Sequence, residues 1–182
     1  MNTAPHRIGF IVRNARVLRC CVHQTKYVTP LDMVKEFDAT DLAQVATHQE
    51  RAQITGDLLV LGIQNASLNA SIEQQLSVSS AIQVICTACQ RTDALTIKAL
   101  ESHPRYKSTL VFDENFLHSL KLYGLDIARY YLYDNAVPEI VQKRYDAAMA
   151  WLKQLENGEI MLLTIPPLQK SYAYFSAQPR HF

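Results

Sequence analysis

Glycine is scarce in this chain, five residues in 182, and that scarcity excludes whole classes of function. There is no G-x-G-x-x-G and no G-x-x-x-x-G-K run, so no glycine-rich loop cradles a nucleotide phosphate through backbone amides. Long apolar runs are missing as well. The N-terminal pieces 8–12 and 17–18 are cut by Arg13, Arg16 and Arg19; they are too short to span a membrane and lack the continuous core of a secretory signal. Four cysteines without such a signal lead us to expect free thiols in a reducing compartment. Acidic residues are absent from both ends. Residues 1–26 carry five Lys/Arg and residues 164–182 carry two, with no Asp or Glu in either. The body between them holds 11 basic and all 17 acidic residues, a net charge of −6. Basic ends on an acidic body read either as segments that dock on an acidic neighbour or as plainly solvated termini.

What the chain does have is helical periodicity. Leu117, Leu120, Gly124, Ile127, Ala128 and Tyr131 follow the three-and-four spacing of one helical face over 113–134. The opposite side of that stretch is apolar too, with Leu122, Leu125, Leu132 and Tyr133, which predicts partners on two sides. Pro138 at a first helical position opens a second helix through Glu156, lined by Val141, Tyr145, Ala148, Leu152 and Leu155, and Asn157-Gly158 stops it. Upstream, Thr29-Pro30 opens a short helix, Thr40 another, and Thr55 a long one over 56–76 that Asn65 and Asn69 interrupt. Residues 79–100 read as helical despite the β-branched Ile82, Val84, Ile85 and Thr87. Extended segments are expected at 106–112 and 159–164, and a hairpin or helix at 7–22. Pro166-Pro167 ends regular structure.

Two blocks of residues carry a resemblance. Asp126-Ile-Ala-Arg-Tyr-Tyr-Leu-Tyr-Asp134, Pro138-Glu139, Arg144-Tyr145, Ala148, Trp151-Leu152 and Gly158 resemble the C-terminal half of the Mu-like phage head–tail adaptor family. Residues 27–37 with Asp41, Leu42 and Gln44 resemble its N-terminal signature, and Ala66, Ser67, Ile72 and Leu76 its first long helix. The family's short loop after that helix is replaced here by residues 77–112, and residues 1–26 precede its pattern. The resemblance implies a non-enzymatic virion protein assembled in the host cytoplasm. It would form a homo-oligomeric ring, twelve copies to match a portal, between the portal and a tail or neck completion protein, with DNA passing through the lumen without sequence-specific binding. It implies a mainly α fold: a small helical bundle of long helix, inserted segment and C-terminal helix hairpin, with extended arms. The division is then 1–26 as a basic extension, 27–163 as the adaptor domain with insertion 77–112, and 164–182 as a docking tail.

Candidate chemistry is sparse. Cys86-x-x-Cys89 would put two thiols on one helix face, but a structural zinc needs four ligands and no second pair stands at finger spacing. Small buried thiols are the plainer reading. Cys20-Cys21-Val-His23 offers three soft ligands amid cationic side chains that would repel a metal ion. The other histidines are scattered; His118, near Glu114 and Lys121, reads as a surface ion-pair member. No catalytic group, cofactor or metal is therefore expected. Asp126 and Arg129 stand three apart and read either as an exposed pair or as a staple to a neighbouring helix through Arg144 or Asp134. A subunit interface is expected at Leu122, Leu125, Asp126, Arg129, Tyr130, Tyr133 and Arg144. Portal docking is expected from Tyr172, Tyr174, Phe175, Arg180 and Phe182 in the tail. A rival reading is a DNA- or regulator-binding helical module using the basic N-terminus, which predicts strongly salt-dependent binding.

Overall fold

The computed structural model describes residues 25–47, 52–107, 110–133 and 136–162. The expected N-terminal hairpin, Cys20, Cys21, His23, Asp134 and the whole of the tail lie outside these residues. Among the described residues there are six helices and no strand, so the chain is a mainly α bundle. Helix α1, Pro30–Glu36, opens on a reciprocal capping box: the Asp32 amide donates to the Thr29 hydroxyl while the Thr29 amide donates to the Asp32 carboxylate. Helix α2, Ala39–Ala46, is capped by Asp38 rather than by the expected Thr40, whose amide instead donates to the Asp38 carboxylate together with that of Asp41. Thr55 caps α3, Gly56–Ile63.

The long helix expected over 56–76 is two helices. Asn65 takes the left-handed conformation (φ 55°) that stops α3. Its amide donates to the Gly62 carbonyl and that of Ala66 to the Leu61 carbonyl, the paired bonds of a left-handed stop. Ser71 then starts α4, Ile72–Ser102, with Gln74 completing a second capping box. Thus most of the segment regarded as an insertion is the 31-residue helix around which the others pack; α4 touches every other helix of the bundle. Its β-branched Ile82 and Ile85 are buried against the preceding helices, and burial of such side chains at about 1.5–3 kcal/mol each outweighs their small propensity penalty.

Helices α5, Glu114–Tyr130, and α6, Glu139–Glu156, form the expected hairpin. Helix α5 ends earlier than the periodicity suggested, and Pro138 stands just before α6 rather than at its first position. Gly158 (φ +78°) closes α6 through the bonds Gly158 amide to Leu155 carbonyl and Glu159 amide to Gln154 carbonyl. The two expected strands do not form among the described residues. Residues 106–112 carry only an isolated bridge at Phe112, and 159–162 make no ladder. Side chains hold both segments instead. Tyr106, Phe112 and Phe116 follow one another in ring contact (6.4 and 4.9 Å). Buried His103 brings Nε2 within 3.0 Å of the Ile160 carbonyl oxygen while its Nδ1 accepts from the Arg105 amide, so the proton sits on Nε2.

Most of the two apolar sides of α5 is absorbed within the chain, Leu117 and Leu122 staying partly exposed. Leu125, Ala128 and Leu132 join the cluster built by α1–α4, whereas Phe116, Leu120 and Ile127 join a second cluster with α6 and the end of α4. Two-sided apolarity here reflects a helix sandwiched in its own bundle, not a surplus that only another copy could hide. Where α5 meets the incoming chain there is room for no side chain: a Cβ on Gly124 would lie 2.6 Å from Val28 Cγ2. Val28 is held there by Asp93, buried on α4, whose carboxylate accepts the amides of Lys26, Tyr27 (3.1 Å) and Val28 (3.2 Å). Replacing Asp93 by Ala is expected to cost about 2–4 kcal/mol of unfolding free energy, because three amides lose a charged acceptor. A lower denaturant midpoint at unchanged slope would show it; a loss under about 0.5 kcal/mol, the range of ordinary surface substitutions, would refute the clamp.

Candidate functional site

The side of α5 turned away from Gly124 carries Ser119, Leu122, Tyr123, Asp126 and Arg129. At about 100° per residue, Leu122 and Asp126 both stand about 160° from Gly124. The end of α1 folds over this side because Phe37, in extended conformation and tied by its amide to the Met33 carbonyl, leaves α1 with its ring buried. Arg144 reaches in from the second turn of α6. The result is an open groove of about 320 Å³ lined by Glu36, Phe37, Ser119, Leu122, Tyr123, Asp126 and Arg144.

Its electrostatics are unbalanced. Asp126 has its nearest cation, Arg144, at 3.8 Å, beyond hydrogen-bonding range. The expected staple through Arg144 is therefore present as a loose ion pair, not a bidentate one. Arg129 lies over the Phe37 ring, 4.7 Å from its centroid, in a cation–π contact. Partial burial raises the Asp126 pKa above the ordinary carboxylate value; Arg144 and Arg129 pull it back, and Glu36 pushes it further up. Beside the groove, Asp32 bonds Lys121 at 2.6 Å. Burial works against that carboxylate, but Lys121 and the hydroxyl and amide of Thr29 more than offset it, and the pKa is lowered. Lys121 thus ties α5 to α1 rather than joining His118 and Glu114.

The remaining expected interface residues divide. Tyr130 stacks on Tyr145 at 3.8 Å, and Tyr131 meets both rings edge-on at 6.0 and 6.2 Å, so these tyrosines weld α5 to α6. Tyr133 is half-buried past the end of α5. Leu125 is only 3 % exposed, inside the chain's own core, and so offers no surface for a subunit contact. Leu122, 39 % exposed, does. Glu36 and Phe37 were missed, since nothing local to α5 announces that α1 ends over it.

Cys86 and Cys89 lie in the core, and burial, reinforced by Cys86 and Asp93, pushes the Cys89 thiol far up, where it is not nucleophilic. Among the described residues no three His, Cys, Asp or Glu side chains are grouped to hold a metal ion, and no helix is long and apolar enough to cross a membrane. The groove's own chemistry is that of recognition: an aromatic and aliphatic floor, an underpaired carboxylate and a half-exposed guanidinium.

The family model described as "Bacteriophage Mu, Gp36" matches residues 27–169. The chain belongs to the bacteriophage Mu Gp36 family. It is thereby a phage structural or assembly protein. The Gp36 match opens at Tyr27, inside the Asp93 clamp, takes in all six helices including α4, and runs past the last described residue. Residues 1–26 precede it. No curated protein and no solved structure gives a significant match to the chain.

Asp126 provides a check on the site. A folded-state pKa above the unfolded value means that folding favours the protonated form, so this group's contribution to stability falls as pH rises through the folded value. Asp126→Asn is therefore expected to raise the melting temperature of the purified chain by a few degrees at pH 7, with the gain shrinking as pH falls into the carboxylate range. A melting temperature lowered at pH 7 would show that Asp126 instead anchors the fold.

Proposed function

We propose that this Gp36-family protein is a non-enzymatic head–tail adaptor whose copies close into a ring between portal and tail. The observation that carries this reading is the open groove on the hairpin that holds the resemblance: Leu122, Asp126 and Arg144 face outward with their apolar area and charge incompletely matched. A ring built from one patch meeting a different patch on the next copy needs such a surface on every subunit. Twelve copies would match the symmetry of a portal. An acidic body suits DNA transit, because a lumen that repels phosphates lets the duplex slide. The aromatic and basic tail, with Tyr172, Tyr174, Phe175, Arg180 and Phe182, would reach the portal, and the opposite face a tail or neck completion protein.

Two outcomes test this. Leu122→Lys, which removes the exposed apolar side chain and sets a cation one turn from Asp126, should leave helical content and melting unchanged within a few degrees, yet cut the yield of tailed particles at least about tenfold; normal yields would remove the groove from assembly. Changing Tyr172, Tyr174 and Phe175 to Ala should abolish co-sedimentation with the portal while the helical body stays folded. Undiminished co-sedimentation would show that the tail does not dock there.

A further inference from the structure

The groove and the point where residues 26–28 join the body lie on opposite sides of α5, and the sequence preceding that point carries what the groove lacks. Residues 1–24 contain four arginines and no acid, with the apolar pieces 8–12 and 17–18 between the charges. The groove offers Leu122 and Tyr123 as apolar walls, Asp126 with its nearest cation, Arg144, at 3.8 Å and Arg129 as a second, and Glu36 beside it. Glu36 supplies the carboxylate on the α1 side of the groove.

We propose that each groove is filled by the arginine-bearing N-terminal segment, residues 1–24, of the next copy in the ring. Arg13, Arg16 or Arg19 adds to the ion pairing of Asp126 and Glu36 there, and Val17 and Leu18 cover Leu122. This inference rests on the ring reading and names what one subunit supplies to its neighbour. The ring reading assigns the segment to the neighbour rather than to the same chain. The segment joins the body where Asp93 holds Lys26–Val28 and Val28 meets Gly124, on the face of α5 turned away from Leu122 and Asp126. A subunit with its groove on one side and its arm on the other makes the head-to-tail contact a closed ring requires. Twenty-four residues extend up to about 80 Å at about 3.3 Å each, and a body of this size is only about 30–40 Å across, so reach is ample. The Gp36 match begins after this segment, so the arm lies outside the family model.

The test uses the full-length protein carrying a benzoylphenylalanine photo-crosslinker in place of Leu122, with isotopically heavy and light chains co-assembled, irradiated and digested for mass spectrometry. Cross-links from position 122 to residues 13–19 with mixed heavy–light mass are expected. Changing Arg13, Arg16 and Arg19 together to Glu should lower their yield at least about tenfold. Cross-links confined to one chain, to residues 27–162, to another virion protein or to DNA would overturn the proposal, as would a yield unaffected by the arginine changes. Failure of the ring reading looks different: the chain then stays monomeric in solution and in particles. Assembled rings whose grooves cross-link elsewhere refute the arm exchange alone.

Discussion

A buried carboxylate organises this fold. Asp93 sits on the central helix and accepts three successive backbone amides from the bend at residues 26–28 where the chain enters the bundle. Amides need acceptors and a buried carboxylate needs donors, and each is costly alone. Together they pin residues 26–28 across α4 and press Val28 against Gly124 of α5. That contact sets the spacing between α4 and α5, and the capping box four residues on sets the direction of α1. The groove exists because α1, so directed, runs out over the far side of α5.

The hairpin then plays two roles with two different faces. Its inner residues, among them Leu125, Ile127 and Leu155, are spent on the chain's own two cores. Its tyrosines lock α5 to α6. An outer strip with Leu122, Asp126 and Arg144 is left over, and there the charge is less well paired than inside. Natural chains carry such local mismatches at sites that work on something else. A partly desolvated Asp126 favours whatever brings it a further cation beside Arg144 and Arg129.

Much of this was legible locally. Thr29, Thr55 and Asn157-Gly158 announced helix ends because caps act over three or four residues. The outward strip of α5 and Arg144 could be read from helical spacing alone. Asn65 reads from sequence as an interruption of the apolar face rather than as a helix stop, because apolar spacing continues through Leu58, Leu61 and Leu68, while the left-handed conformation at Asn65 leaves little sequence trace beyond the residue type. Ser71 with Gln74 was the readable clue to a new start. The central position of α4 was hidden by its modest amphipathicity: small and polar residues such as Ser77, Thr92 and Thr96 are buried there beside Ile82 and Ile85. Asp93 had a signal, an acid in register with Ile82, Ile85, Cys89 and Leu100. Its partners, however, are backbone amides more than sixty residues earlier, and no local pattern names them. Phe37 joined the groove by the same long-range route.

The central claim is that the outer strip of α5 is closed by a neighbouring copy in the assembled virion. The most direct measurement is an electron cryo-microscopy reconstruction of the neck of tailed particles. The account predicts a ring of this protein with Leu122, Asp126 and Arg144 covered at every subunit boundary. A ring in which that strip faces solvent or the DNA lumen, or a neck from which this protein is missing, would contradict it.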